Sequence, residues 1–255
     1  MSRALLVIAD IGGYTRFMKV HRVNLAHAQY IVACLLEAVI DGAGRKLKLA
    51  KLEGDAAFFY ANAPVPPEDA KKAFVSIRRS FLRKRDELSI NRLCSCDGCT
   101  QAGDLKLKFV AHVGEVAFQK VKRYTELAGV DVILVHRLLK NSVPVSEYLL
   151  MSGQLHDEIA PALDDGNAIE IDEDLEGLGV TKTHYIELDA LAGRSPTEVK
   201  PSFFAKFFGW LRMTLRSIPY FIGAKKSCDG FRNMDENLPP PTPHTRPSAL
   251  PPKMS

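Results

Sequence analysis

The chain has 255 residues, with 34 Lys and Arg residues against 30 Asp and Glu residues and a formal net charge of +4. Hydrophobic residues make up 46% and charged residues 25% of the sequence, a balance that is typical of globular proteins and excludes a chain disordered throughout. Residues 1–199 hold 25 basic and 27 acidic residues, whereas residues 200–232 hold seven basic residues and one acidic residue. The excess positive charge therefore belongs to one C-terminal segment, and we expect no specific nucleic-acid partner.

The cysteine count and the first apolar run bear on the compartment. Five cysteines, an odd number, argue against a secreted disulfide framework. The apolar run over residues 4–9 is too short to span a bilayer and does not have the pattern of a signal peptide. We therefore expect a cytoplasmic protein.

The apolar patterns predict alternating strands and helices. In chain order they indicate a strand at 4–9, a helix at 25–39 ended by Gly42 and Gly44, two strands within 47–60, a helix at 68–87, a strand at 105–113 that turns at Gly114 and continues to 118, a helix at 131–139, a strand at 148–151, a helix at 155–159, and strands at 168–171 and 185–188. This order predicts an α+β fold with a mostly antiparallel sheet and helices packed on one of its faces.

The chain divides into one domain and two appendages. We predict a folded domain over residues 1–190, with a polar, cysteine-containing insertion at 92–104. A basic, aromatic, amphipathic helix is predicted within 200–224. Residues 233–255 are predicted to be disordered, because they contain seven of the 15 prolines and little else that could form a core.

Two acidic residues occupy positions suited to a divalent cation. Asp10 ends the first predicted strand, and Asp55 lies in the turn between the next two strands. Carboxylates at neighbouring strand ends can share one cation and leave coordination positions open for phosphate. Aspartate is also common in turns and helix caps for purely local reasons, so the spacing alone leaves both interpretations open.

The residues around these acids resemble the motifs of the class III nucleotide cyclases, the adenylate and guanylate cyclase superfamily. Residues 9–15, Ala-Asp-Ile-Gly-Gly-Tyr-Thr, resemble the first motif, and residues 51–55, Lys-Leu-Glu-Gly-Asp, resemble the second. Residues 126–137 resemble the third, in which a glycine is followed by an asparagine and then by an arginine four residues later. The resemblance covers about residues 3–190 and implies the ferredoxin-like fold of that superfamily.

The resemblance assigns a role to each matching residue. Asp10 and Asp55 match the two metal-binding aspartates for Mg²⁺ or Mn²⁺, and Ile11 would offer its backbone carbonyl. Lys51 and Glu126 match the two base-reading positions, and a lysine there implies that adenine is preferred. Arg137 matches the arginine that stabilises the phosphates in the transition state. In this superfamily the active sites form between the two chains of a head-to-tail dimer, so a homodimer is implied.

Two positions depart from the pattern. Ile133 stands where the superfamily has an asparagine that orients the ribose, and Lys182 is the candidate nearest to the expected phosphate-binding lysine. Loss of an orienting group lowers catalytic rates by orders of magnitude. The sequence therefore leaves two functions open. One is a cyclase that converts ATP, or another nucleoside triphosphate, to a 3′,5′-cyclic nucleotide and pyrophosphate. The other is a catalytically degenerate nucleotide-binding regulatory module or membrane-associated scaffold with the same fold.

Three cysteines stand close together in the predicted insertion. Cys94, Cys96 and Cys99 offer three thiolates within six residues, and a structural Zn²⁺ site needs a fourth ligand, which His112 or a partner chain could supply. Three exposed thiols in a loop are the alternative.

The predicted C-terminal helix has one apolar face and one basic face. Over residues 202–222, phenylalanine, leucine and isoleucine side chains fall on one side, while Lys206, Arg212 and Arg216 fall on the other. This pattern is typical of a helix that binds an anionic membrane surface, which would place the protein on the inner face of the membrane. Docking on the domain itself or in a dimer interface is the alternative.

Overall fold

The computed structural model describes residues 1–15, 17, 25–90, 101–163, 167–192 and 211. The cysteine cluster of Cys94, Cys96 and Cys99 lies outside the described residues. So do the predicted tail at 233–255 and, apart from Leu211, the predicted helix within 200–224. In the described ranges, no helix is both long enough and apolar enough to cross a membrane.

The described residues form eight strands and five α-helices, in an order that agrees with the predicted α+β class. The strands are β1 (Ser2–Gly12), β2 (Lys48–Glu53), β3 (Ala56–Asn62), β4 (Lys106–Val121), β5 (Tyr124–Ala128), β6 (Tyr148–Ser152), β7 (Ile169–Leu175) and β8 (Gly179–Glu187). The helices are α1 (Leu25–Ala43), α2 (Pro67–Ile90), α3 (Val130–Arg137), α4 (Gly153–Ile159) and α5 (Leu188–Ala192).

The strands form one sheet in the order β2-β3-β1-β4-β6-β8-β7, and β5 pairs with β4 beside this path. The pairing is antiparallel except between β4 and β6. The strand β1 lies between β3 and β4, so both of its edges are hydrogen-bonded within the sheet. The end of β1, where Asp10 lies, is therefore held in place from both sides.

Both faces of β1 are buried, which explains why the strand appears in the sequence as a continuous apolar run. Val7 and Ile11 belong to a core shared with α1, α2 and α4, and we call this side of the sheet the first face. Leu6 and Ile8 belong to a second core, on what we call the second face. Because side chains alternate along a strand, Asp10 continues the row of Leu6 and Ile8 on the second face.

The structure corrects the prediction that all helices share one face. Val132, Val135 and Leu138, from α3 and the residue after it, pack into the second core, so α3 lies on the opposite side of the sheet from α1 and α2. A short helix that is apolar on most of its sides does not show in its sequence which face of a sheet it covers. Its place on the second face is what brings α3 to the side of Asp10.

Two predicted turn signals have other roles in the structure. β4 runs without interruption from Lys106 to Val121, and the hairpin turn to β5 lies at Lys122, which has a φ of 53°. Gly114, predicted as a turn, therefore lies in mid-strand. Gly42, predicted to end the first helix, lies inside α1, where a Cβ atom would stand 2.6 Å from the Cα atom of Ile77. Gly42 is required because α1 and α2 approach closely there.

Candidate functional site

Asp10 and Asp55 meet at one end of the sheet. Asp10 is the third residue from the end of β1, and Asp55 lies in the turn between β2 and β3. The Ile11 backbone N–H donates a hydrogen bond to the Asp55 carbonyl at 3.2 Å, which fastens this turn to β1. The strand end and the turn therefore bring the two predicted metal-binding acids together.

The carboxyl groups of Asp10 and Asp55 lie close enough to interact electrostatically. Burial, and then the negative charge of Asp10, raise the pKa of Asp55 to about 6. Burial and the charge of Asp55 also raise the pKa of the Tyr14 hydroxyl above its ordinary value. Two carboxylates that repel each other in a half-buried site form a place where a cation binds favourably.

Lys108 completes this site, and the sequence did not indicate its role. It lies directly opposite Asp10 in the β1–β4 ladder, and its Nζ atom lies 3.0 Å from Asp10 Oδ2. Burial acts to lower the pKa of Lys108, but the charge and hydrogen bond of Asp10 outweigh it and raise the pKa. Only the register of β1 against β4 reveals the pair, because the two residues are far apart in the chain.

The residues present fit a divalent cation that keeps ligands from water or substrate. In the described ranges, no group of three or more His, Cys, Asp or Glu side chains is arranged to hold a metal ion. Two carboxylates with a nearby backbone carbonyl suit Mg²⁺ or Mn²⁺, which are bound through few protein oxygens together with phosphates. They do not suit a closed structural Zn²⁺ site.

A second polar cluster lies on the same face and consists of Lys51, Glu53 and His136. Lys51 Nζ lies 2.8 Å from Glu53 Oε1, and His136 Nε2 lies 3.1 Å from both carboxylate oxygens of Glu53. The Phe58 ring contacts two members of the cluster. The His136 ring meets it edge-on with ring centroids 4.9 Å apart, and Lys51 Nζ lies 6.0 Å from the Phe58 ring centroid. The cluster joins β2 to α3.

The structure places Lys51 and Glu126 in different surroundings. Glu126 is exposed on β5, opposite Gln119 of β4. The acid that pairs with Lys51 among the described residues is Glu53. Burial alone would raise the pKa of Glu53, but the hydrogen bonds from Lys51 and His136 lower it below its ordinary value. Glu53 is a candidate functional residue that the sequence analysis passed over, since the matching motif assigned no role to its position.

The remaining predicted site residues are spread over the molecule. Arg137, at the end of α3, forms an ion pair with the exposed Glu176. Ile133 lies on α3 with 52% of its surface exposed. Lys182 is also exposed and lies 3.4 Å from Glu170. Tyr185 of β8 belongs to the second core and Ile186 to the first. Since side chains alternate along a strand, Lys182 shares the face of Ile186 and, within one chain, lies on the other side of the sheet from Asp10.

His112 is the centre of a buried hydrogen-bond network. Its Nδ1 atom lies 2.7 Å from Ser152 Oγ, and its Nε2 atom lies 3.0 Å from Asp131 Oδ1. The other Asp131 oxygen accepts from the Glu115 backbone N–H at 2.5 Å. Both ring nitrogens are therefore engaged, which argues against His112 as a fourth Zn²⁺ ligand. The network instead fastens the first turn of α3 to β4.

Gly114 makes this network possible. A Cβ atom at Gly114 would stand 2.3 Å from Asp131 Cγ and 2.6 Å from Asp131 Cβ. Because rotation of the Asp131 side chain does not move its Cβ atom, α3 itself would have to shift. The glycine that looked like a turn signal is thus a site of close approach between β4 and α3.

Comparison with known proteins finds a relative that is itself uncharacterised. This chain is 46% identical over 214 residues to the "Uncharacterized protein Rv2561/Rv2562" of Mycobacterium tuberculosis, and the alignment covers 80% of this chain and 94% of that protein. A family model described as a protein of unknown function (DUF2652) matches residues 32–148.

Comparison with solved structures identifies the fold. The guanylyl cyclase Cya2 superimposes with a TM-score of 0.58 and 12% identity, covering 79% of this chain and all of that chain. The adenylyl cyclase CyaB from P. aeruginosa superimposes with a TM-score of 0.55 and 14% identity, covering 78% of this chain and 97% of that chain. The domain thus has the fold of class III cyclase catalytic domains, as the motifs predicted.

Proposed function

This chain belongs to the same family as the mycobacterial protein Rv2561/Rv2562, and we propose that it is a metal-dependent nucleotide cyclase. The substrate would be a nucleoside triphosphate, with ATP preferred, and the products would be a 3′,5′-cyclic nucleotide and pyrophosphate. One observation carries this proposal. In a fold shared with cyclase catalytic domains, Asp10 and Asp55 converge where a cation would bind, with Lys108 beside them.

The acid pair would hold the metal. Asp10 and Asp55 would bind Mg²⁺ or Mn²⁺ through their carboxylates, and the Ile11 carbonyl would add a backbone oxygen. When bound, the cation would favour ionisation of the ribose 3′-hydroxyl and offset charge on the triphosphate. In the reaction, the 3′-oxygen forms a bond to the α-phosphorus, the bond to the pyrophosphate oxygen breaks, and the hydroxyl proton is released.

Lys108 would hold the negatively charged substrate at this place. Its ammonium group is half-buried and already faces a carboxylate at 3.0 Å. Since the pKa of Lys108 is raised, the group stays positively charged and suits a phosphate oxygen of the substrate. We expect Lys108 to contribute to binding, and Arg137 to stabilise charge that develops on the phosphates.

A homodimer would complete two such sites. Lys182 lies on the other side of the sheet from Asp10, and Arg137 is paired with Glu176, so one chain does not gather all the predicted residues at the acid pair. Large apolar side chains are exposed on the elements around the site, namely Leu52, Phe118, Val121, Val130 and Ile133. A second copy that covers them is favoured because exposed apolar groups mark association surfaces.

A second candidate function is nucleotide binding without turnover. Ile133 supports it, because this exposed aliphatic side chain stands where the superfamily resemblance calls for a group that orients the ribose. A nucleotide whose ribose is not oriented would still bind, but it would react slowly. The chain would then act as a regulatory module, or as a membrane-associated scaffold, that senses a nucleotide.

The distinguishing experiment is a product assay. Purified full-length chain is incubated with Mn²⁺ and each nucleoside triphosphate in turn, and cyclic product and pyrophosphate are quantified. Formation of both products by the wild type, and loss of both in Asp55→Ala, is the result expected of a cyclase. Metal-dependent binding with no product from any nucleotide would contradict catalysis and favour the second candidate.

A further inference from the structure

We propose that His136 is a doubly protonated imidazolium in the folded protein at neutral pH, and that its ion pair with Glu53 holds α3 against β2 in a pH-dependent way. An unperturbed histidine has a pKa of about 6.5 and is mostly neutral at pH 7.5, so this charge state would be a property of the fold. It does not depend on the proposed reaction.

Both ring nitrogens of His136 face groups that only accept hydrogen bonds. Nδ1 lies 2.7 Å from the Val132 carbonyl oxygen, and Nε2 lies 3.1 Å from each carboxylate oxygen of Glu53. A neutral imidazole carries one N–H group and one lone pair, so either neutral tautomer would direct its lone pair at an oxygen atom. The doubly protonated ring is the form that donates to both neighbours.

The carboxyl group of Glu53 is ionised and therefore supplies no proton to this contact. It also accepts from Lys51, whose Nζ atom lies 2.8 Å from Oε1. Burial acts to raise the pKa of Glu53, but the hydrogen bonds from Lys51 and His136 lower it below its ordinary value. At neutral pH, Glu53 thus presents acceptors alone to the imidazole ring.

His112 has the contrasting arrangement. Its Nε2 atom lies 3.0 Å from Asp131 Oδ1, but its Nδ1 atom lies 2.7 Å from the Ser152 hydroxyl oxygen. A hydroxyl group can donate as well as accept, so a neutral His112 ring satisfies both of its partners. Burial also lowers the pKa of His112. The two histidines should therefore carry different charges at the same pH.

The surroundings of His136 favour its positive charge. It lies in the last turn of α3, where a cation interacts favourably with the helix dipole. The like charge that faces it from β2 is that of Lys51, which is paired with Glu53. From β3, the uncharged ring of Phe58 meets it edge-on.

Other charged groups on α3 and on the elements around it are exposed or have partners of their own. The pairs are Asp131 with His112, Arg137 with Glu176, and Asp10 with Lys108, and the exposed acids are Glu115 on β4 and Glu126 on β5. Glu53 is therefore the acid that balances the charge of His136.

The ion pair joins two elements that the sheet itself keeps apart. β2 lies at one edge of the sheet, whereas α3 packs in the second core with residues of β1 and β4. Loss of the second proton from His136 would remove the ion pair and one of its two hydrogen bonds. Because β2 leads directly to the turn of Asp55, this contact also fixes one side of the candidate site.

The first test is the protonation state of the histidine rings in the full chain. Protein labelled with ¹⁵N in its histidine side chains is measured by NMR at pH 7.5, where the nitrogen shifts distinguish an N–H group from a lone pair. Signals that are missing in H136Q and H112Q identify the two rings. We expect two protons on His136 and one on His112. A neutral His136 ring at pH 7.5 would overturn the proposal.

Two matched variants test whether Glu53 causes the charge. In E53Q the amide can donate an N–H to a neutral ring, so we expect His136 to lose its second proton at pH 7.5. E170Q is the control, because Glu170 lies 3.5 Å from Nε2 of another histidine, His184, and His136 should stay doubly protonated. Two protons on His136 in E53Q would contradict the role of Glu53. If melting curves show that E53Q is unfolded, the wild-type spectrum still decides the charge state.

Hydrogen exchange tests whether the ion pair holds α3. Protection of the α3 amides is compared with that of β6 in the wild type and in H136Q from pH 6.5 to pH 9, after correction for intrinsic exchange rates. Because the folded state favours the imidazolium, its contribution is present at low pH and lost as the pH rises. We expect the wild-type ratio to fall about three- to tenfold, the effect of one hydrogen bond, and H136Q to be low throughout.

A wild-type ratio that does not change with pH, or that equals the ratio of H136Q at pH 6.5, would show that the ion pair does not hold α3. None of these measurements involves a nucleotide or a metal. Their failure would therefore leave the proposed function standing, and a failed product assay would leave the charge state of His136 standing.

Discussion

Lys108 on β4 lies directly across the strand ladder from Asp10 on β1, with Nζ 3.0 Å from Asp10 Oδ2. The ion pair sets a half-buried positive charge against two carboxyl groups that repel each other, since the charge of Asp10 helps to raise the pKa of Asp55 to about 6. The lysine therefore offsets part of this repulsion before any metal binds.

Removing the Lys108 charge should destabilise the metal-free protein. In Lys108→Gln the acid pair loses its counter-charge, and we expect the melting temperature at pH 7.5 to fall by about 2–4 °C, the effect of roughly 1 kcal/mol in a domain of this size. Mn²⁺ should raise the melting temperature more in the variant than in the wild type. Lys106→Gln is the matched control, since Lys106 lies 4.0 Å from Glu147 and not at the acid pair. An equal response to Mn²⁺ in both variants would count against the account.

Neutralising Asp55 should have the opposite effect on the metal-free protein. The pKa of Asp55 is raised from 3.8 to about 6, so the carboxyl group favours folding while protonated, and this contribution is lost as the pH rises through about 6. Above that pH the charge costs stability, and Asp55→Asn should melt a few degrees higher than the wild type, with about 2–4 °C expected after allowance for solvent screening.

The Asp55→Asn difference should vanish near pH 4, and the variant should lose stabilisation by Mn²⁺. Melting curves from pH 4 to pH 8, with and without Mn²⁺, provide both measurements. A variant that is less stable than the wild type at pH 7.5 without metal would refute the idea that repulsion is stored at this site.

The His112 network should govern the position of α3 and the acid stability of the domain. Burial lowers the pKa of His112 below 6.5, despite the opposing effect of Asp131. The unfolded chain therefore binds the proton more readily, and the free energy of unfolding should fall as the pH drops below about 6.5. His112→Ala should cost about 1–3 kcal/mol at pH 7.5, because Ser152 and Asp131 lose a buried partner. His112→Gln, which retains one polar end, should cost less.

Denaturant unfolding at several pH values checks the His112 prediction. The wild type and His112→Gln share His184, whose pKa is also lowered, by burial and by His156. The difference between the two proteins below pH 6.5 therefore isolates His112. Parallel stability curves over pH 5–7.5 would show that His112 does not titrate in this way.

The dimer prediction can be tested at Phe118. Its side chain is 45% exposed near the end of β4 and touches Tyr60 with ring centroids 5.5 Å apart. Phe118→Lys should shift the mass measured by light scattering from dimer to monomer at micromolar concentration and lower the specific activity with it. Val180→Lys, at an exposed position on β8, is the control and should leave the mass unchanged. A wild-type monomer at high concentration would contradict the dimer.

The sequence predicted the fold class because its patterns were strong. The run at 4–9 is apolar on both faces, and the helices at 25–39 and 68–87 carry clear apolar stripes, which correspond to β1, α1 and α2. The side of the sheet that α3 covers was not predictable, because its eight residues carry little amphipathic signal. The uninterrupted course of β4 was not predicted, because glycine is a common turn residue. In the structure, the glycine at position 114 is explained by its close approach to Asp131.

Only those residues of the candidate site that stand in a short sequence motif could be predicted from the sequence. Asp10, Asp55 and Lys51 stand in short motifs, so sequence alone could single them out. Lys108, Glu53 and His136 acquire their meaning from strand register and from the docking of α3, which couple residues that are distant in the chain. No pattern within a window of ten residues contains that information.

The central claim is that Asp10 and Asp55 hold a divalent metal together with a nucleotide. The most direct measurement is electron paramagnetic resonance of Mn²⁺ titrated into the wild type and into Asp10→Asn and Asp55→Asn, with and without the α,β-methylene analogue of ATP. We predict that the wild type takes up Mn²⁺ and binds it more tightly when the analogue is present, and that each variant loses this uptake at least tenfold. Uptake that is absent in the wild type, or unchanged in both variants, would contradict the claim.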